Sequence, residues 1–138
     1  MSPTQRSLEL LRELGYTPDV VERRIPGADT TRDFFGCIDL IAAHPRGGIL
    51  AVQATTSSNL AARVAKAKAE RRLAVWLRAG GKFEAWGWSE RGARGRVKVW
   101  AVRRVRASLA PDGSVGFVEL TSHPAIGAPG ALPIGGAM

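Results

Sequence analysis

One short segment, Gly36-Cys37-Ile38-Asp39-Leu40-Ile41, constrains this chain more than any other. It is an apolar run with a carboxylate at its centre. Residues 34–43 read as a strand buried on both faces, where an acidic group is costly unless it is paired or holds a cation. Side chains alternate along a strand, so Asp39 shares a face with Cys37 and Ile41. His44-Pro45-Arg46-Gly47-Gly48 supplies a hairpin turn, and residues 49–55 a second buried strand. The hairpin sets Asp39 beside Gln53, with Thr55 on the same face as Gln53. A polar pair inside two apolar strands points to a metal-binding carboxylate assisted by a neutral oxygen donor. The plainer alternative is an Asp and a Gln bonded to neighbouring backbone or to an Arg.

The elements around this hairpin follow from capping and periodicity. Ser2, Pro3 and Gln5 form the start of a helix with a capping box. Leu8, Leu11 and Leu14 recur at helical spacing, and Gly15 ends the helix. Pro18-Asp19 reads as a turn or an extended entry. Residues 20–25 read as a strand, and residues 27–32 as a turn-rich connection; Asp33 either assists the Asp39 site or caps a turn, the turn being preferred. Ser57, Ser58 and Asn59 offer N-cap groups for a helix running to about Arg72. Residues 73–77, 82–88, 96–106 and 115–120 read as further strands, with turns at Gly80-Gly81 and Pro111-Asp112-Gly113. The expected fold is a mixed α/β domain over residues 1–121, followed by a flexible Gly/Pro/Ala-rich tail over residues 122–138.

Charge narrows the partner. Lys and Arg number 20 against 12 Asp and Glu in 138 residues, a net charge of +8. Such an excess favours a polyanion, and nucleic acid first among them. Arg96, Lys98, Arg103 and Arg104 belong to the densest basic segment and are candidates for tracking a phosphate backbone. Trp86 and Trp88, two apart on one strand, are candidates for stacking on bases. The lone Cys37 leaves no disulfide framework, thiol pair or Cys-rich zinc site. With no signal-like or membrane-spanning apolar run, a cytoplasmic setting without a membrane partner is expected. The glycines lack a phosphate-loop pattern, which removes a nucleotide-hydrolysing class.

The helix–three-strand–helix–strand order resembles the PD-(D/E)XK nuclease superfamily. So do the Ile38-Asp39 hairpin and the Gln53-Ala54-Thr55 triplet. The run from Arg32 to Ala42, then residues 50–55, then Asn59 and Arg63, is similar to phage-type and Holliday-junction-resolvase-like members. The resemblance covers roughly residues 5–105. It implies a restriction-endonuclease-like αβββαβ core, with a central mixed sheet flanked by two helices and extra C-terminal strands. It also implies a Mg²⁺ or Mn²⁺ cofactor, DNA (branched DNA included) as the partner, and a homodimer.

Residue by residue, Asp39 matches the first motif Asp, Gln53 stands at the acidic position and Thr55 at the lysine. Glu9 matches the first-helix glutamate of resolvase-like members. The implied metal set is Asp39, Gln53 and Glu9. Gln is uncharged and Thr carries no cation, so the motif is altered. Asn59, Arg63 and Lys66 are spaced to share one helix face, and Lys66 or Arg63 is the candidate replacement for the lysine. Lys68 extends the positive charge. The expected activity is metal-dependent phosphodiester hydrolysis in DNA by an endonuclease. The alternatives are a catalytically inactive nucleic-acid-binding protein on the same fold and a basic phage-type interaction protein.

Overall fold

The computed structural model describes residues 1–92 and 97–120. Helix α1 spans Pro3–Glu13 and begins as its sequence dictates: Ser2 and Gln5 close a reciprocal capping box, with Pro at the first turn. It stops at Leu14, and Gly15 takes the left-handed conformation (φ 90°) that a side chain would resist. Strands β1 (Thr17–Val20), β4 (Leu40–His44), β5 (Gly48–Thr56), β6 (Lys82–Arg91), β7 (Val99–Leu109) and β8 (Val115–Glu119) form one sheet in the order β1-β4-β5-β6-β7-β8. β5 and β6 pair in parallel; every other neighbouring pair is antiparallel. A separate ribbon pairs β2 (Arg23–Arg24) with β3 (Thr31–Arg32).

A parallel pair cannot be closed by a hairpin, so the chain crosses over between β5 and β6. It does so through a 3₁₀ turn at Ser57–Asn59, helix α2 (Leu60–Ala69) and helix α3 (Arg71–Arg78). Asn59 occupies the N-cap of α2 without a side-chain capping bond. Two apolar layers result. Leu10, Leu11 and Leu14 of α1 pack with Leu40, Leu50, Val52, Trp86 and Trp88. Leu60, Ala67 and Leu73 of α2 and α3 pack with Ala51, Phe83 and Ala85 on the opposite face. The fold is mixed α/β, with a six-stranded mixed sheet and three helices among the described residues. None of these helices is long and apolar enough to cross a membrane.

Four local expectations need correction. Residues 73–77 are helix, not strand: Leu73, Trp76 and Leu77 fall at i, i+3 and i+4, one helical face. The long second helix breaks at Glu70, whose backbone is extended and whose carboxylate caps α3 by accepting from Arg72 N at 3.0 Å. Two helices therefore lie on that face instead of one. Residues 34–38 form a closed turn instead of the start of a strand. Residues 20–25 are divided between β1 and the ribbon. Arg96 and the tail over residues 122–138 lie outside the described residues.

Candidate metal centre and its basic rim

Local chain geometry brings the acidic groups together. Phe34 and Ile38 exchange backbone hydrogen bonds, N to O 2.8 Å and 2.9 Å, closing a tight turn. Phe35 (φ 54°) and Gly36 (φ 71°) turn the chain through the left-handed region. Residues 33 and 39 flank this bridge, so Asp33 is returned to Asp39. On the other side of Asp39, β1 extends by one residue: Val21 N donates to Asp39 O at 2.8 Å, which brings Glu22 alongside. Ligand oxygens of Glu22, Asp33 and Asp39 all lie within 4.8 Å of one another.

Gln53 completes the cluster from β5. Its Nε2 donates to Asp39 Oδ2 at 2.7 Å and to Asp33 Oδ2 at 3.4 Å. Ala54 N also donates to Asp39 Oδ2, at 2.9 Å. Asp39 is 4 % exposed and Gln53 1 %. Burial is the main cause of a proton affinity that pushes Asp39 up to about 8; the hydrogen bond and negative charge of Asp33 add to it, and the Ala54 amide opposes it. Gln53 Oε1 is buried with no hydrogen-bond partner. An orphaned buried oxygen is costly. Rotating this amide by half a turn would aim Oε1 at the carboxylates, an arrangement that suits either a cation or a protonated Asp39. The donor set, hard oxygens from three carboxylates and a neutral carbonyl, suits Mg²⁺ or Mn²⁺.

The rim is basic. Arg63 and Lys66 of α2 line one cavity, about 370 Å³, together with Asp33 and Arg32. A larger cleft of about 710 Å³ is lined by Arg23, Arg32, Asp33, Phe34, Phe35 and Arg72 among others. Arg72 is engaged by Glu70, whose carboxyl it holds down at about 2 through its side-chain hydrogen bond.

The sequence-derived candidates divide. Asp39 and Gln53 meet as expected, and Arg63 and Lys66 line a cavity with Asp33. Thr55 is buried on β5. Glu9 is exposed on α1, which packs on the opposite face of the sheet, so it does not join the acidic cluster. Asn59 and Lys68 are exposed on the α2 side. Arg104 is not available to a phosphate: strand alternation turns it onto the α1 face, where it is 4 % exposed and donates to Glu84 at 3.0 Å. Arg103 is exposed and paired with Glu119 at 2.7 Å, and Lys98 is exposed before β7. Trp86 and Trp88 are core residues, 0 % and 1 % exposed, and donate to Glu84 and Ser7. Glu22 does not emerge from the sequence as a ligand, and Asp33 emerges there first as a turn cap and only second as an aid to the site. For Asp33 the signal was a second Asp six residues before Asp39 across a Gly-containing turn; for Glu22 no local pattern exists.

Searched against protein-family models, curated proteins and solved structures, the chain matches none.

Proposed function

We propose that this chain is a metal-dependent DNA endonuclease of PD-(D/E)XK-like architecture, with Holliday-junction-resolvase-like enzymes its nearest functional analogy. The cluster of half-buried Glu22 and Asp33 with buried Asp39 and Gln53 carries this reading. The element order supports it: a helix, three antiparallel strands (β1, β4, β5), a crossover through helices and a parallel strand. A divalent cation held by Asp39, Asp33, Glu22 and the Gln53 carbonyl would supply an acidified water and polarise a phosphodiester. The protein groups do the rest. Asp39 releases its proton to become a ligand, and Gln53 reverses its amide. Lys66 and Arg63 place positive charge beside Asp33, where charge develops on a phosphate, and so stand in for the lysine that Thr55 replaces.

Thr55 favours a second reading, a DNA-binding protein without catalysis, because a buried hydroxyl cannot supply that positive charge. Incubating the chain with duplex, single-stranded and junction DNA in Mg²⁺ and in Mn²⁺ decides between them. Metal-dependent cleavage is expected. Asp39→Ala should abolish it, at least a hundredfold, while retaining the fold by circular dichroism; Lys66→Ala should lower turnover about tenfold and binding less. Salt-dependent binding with no cleavage in either metal selects the second reading.

A further inference from the structure

The acidic cluster does not use its most unusual neighbours, a strained aromatic turn and a ribbon of arginines. We propose that these form a pocket for one unpaired nucleotide of a DNA strand, its base on Phe34 and its phosphates against Arg23 and Arg32. This rests on the reading of the cluster as a phosphodiester site and adds a substrate class to it, DNA with an unpaired nucleotide at that phosphate.

Three observations carry the proposal. Phe34 and Phe35 stack with centroids 4.2 Å apart, and both meet Trp76 edge-on, at 6.4 Å and 6.5 Å. Phe34 is nonetheless 37 % exposed at the cleft. A ring backed by a second ring and left open in front is a stacking platform. Phe35 holds φ 54°, a conformation costly for a bulky residue, which the Phe34–Ile38 bridge over-determines. Next, Arg23 and Arg32 are direct cross-strand partners in a two-residue ladder. Like charges placed opposite each other destabilise a pair, and neither arginine forms an ion pair among the described residues. A polyanion removes that repulsion. Finally, Asp33 lines the same cleft and belongs to the acidic cluster. A nucleotide whose base covers Phe34 thus has its backbone beside the cluster. A base in an intact duplex is stacked on both faces and has none to offer Phe34, so the occupant is unpaired.

The test uses the full chain in EDTA with an oligonucleotide carrying 2-aminopurine, either single-stranded or fully paired. Binding should quench the fluorescence of the unpaired base only. Phe34→Ala should weaken single-strand affinity about tenfold and abolish the quench, with duplex affinity within twofold of the parent. Phe34→Trp should restore both, which a folding defect would not allow. Arg32→Gln should reduce the slope of log affinity against log salt by about one. Equal loss on both DNAs in Phe34→Ala, or no quench in the parent, overturns the pocket. Quenching without cleavage in Mg²⁺ supports the pocket and overturns the nuclease. Cleavage of both DNAs alike, indifferent to Phe34→Ala, does the reverse.

Discussion

Two carboxylates are buried in the same sheet on opposite faces, and they are treated in opposite ways. Glu84 on β6 is 0 % exposed and Asp39, immediately before β4, is 4 % exposed. Glu84 accepts from Arg104 Nε and Arg106 Nε at 3.0 Å each and from Trp86 Nε1 at 2.8 Å. Burial pushes its carboxyl up, but the two guanidiniums outweigh it and hold the group below the usual carboxylate range. Asp39 has two neutral donors and two more carboxylates for company, and is pushed up. A buried acid supplied with cations by its own chain is structural. One surrounded by further acids has no such partner: it keeps its proton or, under the function proposed above, takes a cation from outside. The α1 face thus neutralises its buried acid with cations of its own, and the α2/α3 face does not.

The comparison breaks most easily at Glu84. Glu84→Gln strands Arg104, which is 4 % exposed, as an uncompensated charge under α1. Removing one partner of such a pair costs about 3–5 kcal/mol, which denaturant unfolding would read as a large fall in midpoint. The equivalent change on the other face, Asp39→Asn, should cost nothing in metal-free protein. An asparagine there keeps Oδ1 for Gln53 and Ala54 and offers Nδ2 to Asp33, so stability at pH 8 should rise by about 1 kcal/mol. A midpoint for Asp39→Asn as low as that of Glu84→Gln would erase the distinction between the two faces.

How far each face could be read from sequence follows from the same difference. The Ser2–Gln5 capping box, the Gly15 stop and the Asp39–Gln53 hairpin are local patterns, and they fold as they read. Arg104 falls among the basic candidates because charge density along residues 96–106 does not show which of these side chains turns inward. Its partner Glu84 lies on another strand, and a register between β6 and β7 is not a local property. Glu22 was illegible for the same reason, since its place depends on β1 pairing with β4. Residues 73–77 were mistaken for strand because a short apolar run fits both periods; the parallel β5–β6 pair, which demands a helical crossover, decides it.

The proton on Asp39 gives a sharper, smaller test. With its carboxyl raised to about 8, the folded metal-free chain holds a proton that the unfolded chain loses near 4. Unfolding releases that proton anywhere between these values, so stability falls as pH rises from about 4 to about 8. Glu84, shifted the other way, contributes stability that is lost as pH falls below the ordinary carboxylate range. Under the proposed function Mg²⁺ displaces the Asp39 proton, so its affinity should climb about tenfold per pH unit below pH 8 and level off above it. Isothermal titration across that range measures the slope. A flat profile would mean that Asp39 is not the ligand that gives up a proton.

The smallest effect belongs to the exposed counterpart of the Glu84 network. Arg103 and Glu119 are paired at 2.7 Å, with side chains 54 % and 48 % exposed. Water solvates both, so the geometry that matters so much under α1 matters little here. Arg103→Ala should change stability by less than about 1 kcal/mol. Its guanidinium is also already committed to a carboxylate, with Nη2 held by the second Glu119 oxygen at 2.9 Å. Releasing that pair to contact a phosphate gains one anion and loses another, so DNA affinity should change less than twofold in Arg103→Ala and more in Arg32→Gln. A drop of tenfold or more at Arg103, read by a salt-series binding titration, would move the nucleic-acid path from the β2–β3 ribbon to β7.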